Sequence, residues 1–172
     1  MNILKKNFFE LFGIPVSIDI NNTELDRKYK ILQQQFHPDN FSNSTNHEKR
    51  IALQISSQIN DGYIILSNLI PRIEYILQIN NFVQDESKTI QNNEFLSKQI
   101  KLNEFLETID KDNLNTNYLN KHKLEINNFI DELIDLINSN FLNKNFSEAW
   151  TNLAKLKFYN NHLNQIEKYI LL

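Results

Sequence analysis

Apolar residues recur at spacings of three and four along most of the chain, the signature of amphipathic helices. A first cluster, Phe8, Phe9, Leu11 and Phe12, stops at Gly13-Ile14-Pro15, where Gly can cap a helix and Pro cannot continue it. Thr23 then stands three residues before Asp26, a capping-box-like start, and Leu25, Tyr29, Leu32 and Phe36 follow as one stripe. Arg27, Lys30 and Gln34 occupy the opposite face. This helix has to end near Phe36, because Pro38 drives His37 out of the α region.

A polar stretch leads to Thr45 with Glu48 three residues on, a second capping box, and then to Ile51, Ile55, Ile59, Tyr63 and Leu66. The two stripes predict a pair of antiparallel helices with His37-Pro38-Asp39 exposed at the tip between them. Pro71 opens a further short helical pattern through Leu77. From Asn80 to Asn92 the chain is polar and weakly patterned, which places a linker at 80–92 between domains at 1–79 and 93–172. Three helical patterns follow, Asn93 to Ile109, Tyr118 to Asn138 and Phe146 to Leu172. The middle one repeats Leu119, Ile126, Phe129, Ile130, Leu133, Leu136 and Ile137, and the last is capped by Asn145 and carries Ala149, Leu153, Leu156, Leu163, Ile166 and Ile170. The expected fold class is all-α, a helical hairpin followed by an antiparallel three-helix bundle.

Composition narrows the function. With 2 Gly and 3 Pro in 172 residues there is little turn chemistry for a sheet. A net charge of −3 leaves no basic excess for a phosphate backbone or an acidic membrane. The absence of cysteine excludes disulfides, thiolate nucleophiles and Cys-held zinc or iron-sulfur clusters within the chain. Lys5 and Lys6 precede an apolar stretch, but Glu10 and Gly13-Ile14-Pro15 interrupt it before a signal-peptide core is complete, and no run is long enough to span a bilayer. Cytoplasmic residence is the simplest reading. No convergent set of titratable groups suggests an enzyme. His47, His122 and His162 lack the spacing of a shared metal site and read as solvated surface residues, while Trp150 and the phenylalanines sit at core spacings.

A short apolar helix, a capped helix with a basic outer face, an exposed His-Pro-Asp tip and a long return helix together resemble the J-domain of DnaJ-type co-chaperones. The resemblance implies that His37, Pro38 and Asp39, with Arg27 and Lys30 and with Lys28 on the flank, contact a HscA/DnaK-type seventy-kilodalton heat-shock chaperone and trigger its ATPase. Physically, Pro38 stiffens the tip and Asp39 offers two oxygens to a partner arginine. His37 either holds the tip's shape or meets the partner. Asn40 stands where many J-domains have Lys, and Gln33, Gln34 and Gln35 where more basic residues often occur. A general J-protein would carry a Gly/Phe-rich linker and Cys-x-x-Cys repeats, and this chain has neither.

Over nearly its full length the chain is similar to one subfamily, the HscB co-chaperones of iron-sulfur cluster assembly. The similarity rests on Leu11-Phe12-Gly13-Ile14-Pro15, Phe36 to Phe41, Pro71-Arg72 with Glu74-Tyr75, Phe95-Leu96 and Leu156-Lys157-Phe158. On the helix from Asn93, Phe95, Leu102, Phe105, Leu106 and Ile109 share one arc, while Leu96 and Ile100 form a second apolar ridge beside Glu104 and Glu107. Phe158 points away from Ala149 and Leu156. The resemblance assigns Leu96, Ile100, Glu104 and Phe158 to the binding of an IscU-type iron-sulfur scaffold protein, with Ser97 and Lys101 departing from the family's usual Met and Glu. Burial of the same apolar residues against the first domain, or a J-domain adaptor for another specific client, are the competing readings.

Overall fold

The computed structural model describes residues 3–82, 93–109 and 116–170, and among them every regular element is a helix. The chain divides into two units, residues 1–82 and 83–172. In the first, α1 (Phe8–Phe12), α2 (Asn22–Phe36), α3 (Asn46–Ser67) and α4 (Leu69–Ile79) enclose a core of Phe9, Phe12, Leu25, Ile59, Leu66 and Ile73.

Helix α1 has a defined beginning and end despite its five residues. Asn7 and Glu10 form a reciprocal capping box. Gly13, at φ 59, closes the helix with hydrogen bonds from Gly13 N–H to the Glu10 carbonyl (3.3 Å) and from Ile14 N–H to the Phe9 carbonyl (3.0 Å). That pairing is a Schellman motif, and it needs a residue that tolerates the left-handed region. The helix then lies against α3 at Gly62. A Cβ at this position would meet Phe8 Cδ1 at 2.8 Å and Phe12 Cε2 at 3.0 Å, so the missing side chain is what lets α1 approach.

Tyr75 holds α1 from the other side. Its ring stacks on Phe8 (4.6 Å), and its hydroxyl accepts a hydrogen bond from Phe8 N–H at 2.9 Å. Arg72, buried, donates from Nη1 to the Leu66 carbonyl at the end of α3. Burial pulls its guanidinium below the usual arginine value while the nearby Asp19 carboxylate favours the charge. The Arg72 and Tyr75 that carry the family resemblance are therefore the clamp on α1, α3 and α4.

Two helix starts differ from the sequence expectation. The cap of α2 is Asn21, which accepts from Glu24 N–H at 3.0 Å; Thr23 lies inside the helix. Helix α4 begins at Leu69, two residues before Pro71, since a proline in the first turn removes no intrahelical bond. The Thr45–Glu48 capping box of α3 forms as expected.

In the second unit α5 (Asn93–Glu107) accompanies two longer helices, α6 (Thr116–Leu142) and α7 (Phe146–Ile170). The α6–α7 turn is tight. Lys144 takes φ 57, and Asn145 N–H returns to the Asn140 carbonyl at 2.8 Å. Asn145 also caps α7 through Glu148 N–H. At 15 residues α5 spans about 22 Å, against about 40 Å for the 27 of α6. Its ring contacts put Phe95 beside Phe158 and Tyr159, and Phe105 beside Tyr118 and His122, so α5 runs antiparallel to α6. Phe129 and Leu136, read as core from their spacing, are exposed; Leu119, Ile126, Leu133 and Ile137 are the buried residues of α6.

Candidate functional sites

His37 leaves the helical region at φ −60 and ψ 132, as the following proline requires, and residues Pro38–Phe41 make a short 3-10 turn. The imidazole caps this turn: His37 Nδ1 accepts from Asp39 N–H at 3.3 Å and lies 3.5 Å from the Asp39 carboxylate. Of the two roles open to His37, the structure displays the one inside the turn. The Asp39 side chain is 89% exposed, which leaves its oxygens available to a partner. Asn40 fastens the turn to α2, its side-chain amide donating to the Gln34 carbonyl at 2.7 Å and its N–H to the His37 carbonyl at 3.0 Å. A terminal carbonyl of α2 is thereby satisfied.

The basic residues of α2 fall into two groups. Arg27 and Lys30 are exposed. Lys28 is committed within the unit: Nζ donates to the Gly13 carbonyl at 2.6 Å and pairs with Glu24 at 2.8 Å, and this neighbour holds the Glu24 carboxyl below its ordinary range. Gln33 is committed too, to Asn60 on α3. Beside it Tyr29 stacks on Tyr63 at 4.1 Å, and Tyr63 donates to Asp26 at 2.8 Å, which raises the Tyr63 hydroxyl above its usual value. These contacts cross-brace α2 and α3 behind the turn.

In the second unit Leu96 (55%) and Ile100 (51%) are exposed on α5 with Glu104, while Phe95 on the other face is buried. Ser97 and Lys101 are exposed with them. Phe158 is half-buried; it meets Phe95 edge-on at 5.6 Å and lies nearly parallel to His162. The helix thus presents the apolar ridge that its wheel predicts, with Phe158 set in the α5–α7 seam.

His122 and His162 are not the solvated residues that their spacing suggested. His162 is 2% exposed, and its Nε2 lies 3.1 Å from Nε2 of His122. Phe105 stacks on His122 at 3.7 Å. Burial lowers both imidazoles, that of His162 to about 4, with His122 adding to the effect; Glu125 partly opposes the shift at His122. Unfolded, His162 titrates near the ordinary value of 6.5, so below that pH the unfolded chain takes up a proton that the folded unit refuses. Stability of this unit is expected to be full above pH 6.5, to fall as pH drops toward 4, and to level off below, a loss of up to about 3 kcal/mol. Denaturation followed by Trp150 fluorescence at stepped pH measures it, and His162→Gln is expected to flatten the profile. An unchanged slope in that variant would exclude the imidazole as the source.

Among the described residues no helix is long and apolar enough to cross a membrane, and no group of three or more His, Cys, Asp or Glu is placed to hold a metal ion. Residues 91–167 match the family model described as the HSCB C-terminal oligomerisation domain. A co-chaperone protein HscB homolog of Vibrio vulnificus is 32% identical over 94% of the chain and 95% of its own length. That of Colwellia psychrerythraea is 36% identical over 89% of the chain and 90% of its own length. The structure of chaperone HscB from Vibrio cholerae superposes with a TM-score of 0.81 at 27% identity, covering 95% of this chain and 96% of that one. Human co-chaperone protein HscB has the same fold, at a TM-score of 0.84 and 24% identity over 98% of this chain and 84% of its own.

Proposed function

Because the chain belongs to the HscB co-chaperone family, we propose that it binds an IscU-type iron-sulfur scaffold protein, delivers it to a HscA/DnaK-type heat-shock chaperone and stimulates that chaperone's ATPase. The observation that carries the reading is the Asp39 carboxylate, 89% exposed at the end of a helical hairpin and held in a turn by His37 and Asn40. A rigid turn loses little entropy on docking, and a carboxylate can take a fork of hydrogen bonds from an arginine. Arg27 and Lys30 steer the same face toward an acidic surface. Lys28 acts from within, fixing the end of α1 against α2.

The client is assigned to Leu96, Ile100, Glu104 and Phe158, an apolar ridge with an acidic neighbour. Holding client and chaperone on one chain raises the effective concentration of each for the other. Leu96→Ala with Phe158→Ala is expected to weaken capture of an IscU-type scaffold protein roughly tenfold or more, at about 1 kcal/mol or above for each contact. Basal stimulation of the chaperone without scaffold should stay at wild-type level. Titration calorimetry and an ATPase assay read the two effects, and unaltered scaffold affinity would remove the ridge from the assignment.

A further inference from the structure

The rings of α5, α6 and α7 form one connected set. Phe105 stacks on His122 (3.7 Å) and lies 6.3 Å from His162; His162 meets His122 at an interplanar angle of 73° and lies nearly parallel to Phe158, one turn back on α7. Phe158 in turn touches Phe95 edge-on. With ring centroids 5.4 Å apart and nitrogens 3.1 Å apart, the two imidazoles meet head-on. Two imidazoles alone do not make a metal site, and among the described residues no third His, Cys, Asp or Glu is placed to complete one. The contact is a hydrogen bond. His122 Nδ1 faces Glu125 at 3.8 Å, so we assign the His122 proton to that nitrogen and let its Nε2 accept from His162 Nε2–H.

A histidine buried among aromatic rings has few reasons to be there, since a leucine would fill the space without a polar group to satisfy. What a leucine lacks is direction. The head-on bond fixes the rotation of the His162 ring about its side-chain torsions, and that ring lies one turn along α7 from Phe158, nearly parallel to it with centroids 6.5 Å apart. We propose that His162, held by His122, is the positioning residue of the client-binding surface: it sets the orientation of Phe158 against Phe95 in the α5–α7 seam. The inference rests on the assignment of Phe158 to the client surface.

The test uses the full chain and titration calorimetry against an IscU-type scaffold protein, with thermal unfolding recorded for each variant. His162→Leu fills the site and removes the hydrogen bond, while His162→Gln keeps a side-chain amide able to donate to His122 Nε2. His122→Phe retains the stack on Phe105 and removes the acceptor, so it reads the same bond from the other side. The leucine and phenylalanine variants are expected to bind about tenfold more weakly, and the glutamine variant within about threefold of wild type, a tenfold change corresponding to one lost buried contact. Stability should run the opposite way, the apolar variants melting no lower than the glutamine one. Affinity that follows melting temperature, or wild-type affinity in both His162→Leu and His122→Phe, would overturn the positioning role. Phe158→Ala is measured alongside: wild-type affinity there would overturn the client surface itself, and the positioning role with it, whereas weakened binding in Phe158→Ala alone condemns only the role of the pair.

Discussion

Asp39→Ala is expected to reduce stimulation of a HscA/DnaK-type chaperone to its basal rate while leaving the first unit folded. The turn does not depend on the carboxylate for its shape. Its hydrogen bonds run from the Asp39 and Asn40 backbone amides and the Asn40 side chain, and all three survive the substitution. What is lost is a charge-assisted acceptor, and removing one member of a pair that is buried on docking costs about 2–5 kcal/mol. That corresponds to roughly thirtyfold to a few thousandfold in affinity. Asp39→Asn keeps the shape and one acceptor, so it should fall between the two. Steady-state ATPase measurements with rising co-chaperone concentration separate these cases, and stimulation that survives in Asp39→Ala would remove the turn from the mechanism.

The second large effect concerns stability. Gly62→Val places branched carbons where a single Cβ already meets Phe8 and Phe12 at 3.0 Å or less. Neither ring can step aside cheaply. Phe8 is stacked on Tyr75 and bonded through its N–H to that side chain, and Phe12 is buried. Overpacking of this kind costs about 1–3 kcal/mol or more, and valine gains little helix propensity over glycine to offset it. We expect a loss near the upper end, about 3 kcal/mol, with α1 and the facing turns of α3 losing amide-exchange protection first. Gly62→Ala, with better helix propensity and one carbon, should lose about 1 kcal/mol. Full protection of α1 in the valine variant would mean that the helix shifts without penalty.

Local chemistry was legible in the sequence, and pairings across helices were not. The Thr45 capping box, the Gly13 terminus and the exit of His37 from α2 each depend on residues within a few positions of one another. The bond from Lys28 to the Gly13 carbonyl joins positions 15 residues apart and leaves no local sign in the sequence. His122 and His162 are 40 residues apart and carry no local sign of their contact; only the register of α6 on α7 brings them together. Phe129 and Leu136 obey a core spacing but are exposed, Phe129 stacking on Tyr159 of α7 with Lys98 of α5 over its ring, an arrangement across helices that spacing along α6 does not report. Gly62 did leave a trace. It falls on the stripe of Ile55, Ile59 and Leu66, and a glycine on an apolar face marks a close approach by another element.

The anchoring of Phe8 by Tyr75 joins positions 67 residues apart. During synthesis α1 leaves the ribosome before the rest of the unit, with its apolar side chains and no surface to cover them. The α2–α3 hairpin closes first and offers α1 its place at Gly62, but the Tyr75 stack and hydrogen bond on Phe8 have to wait for α4. A chain halted before Tyr75 therefore holds α1 by its α2 and α3 contacts alone, with Phe8 lacking both its ring partner and the acceptor for its N–H, the kind of incompletely covered apolar segment that general chaperones retain.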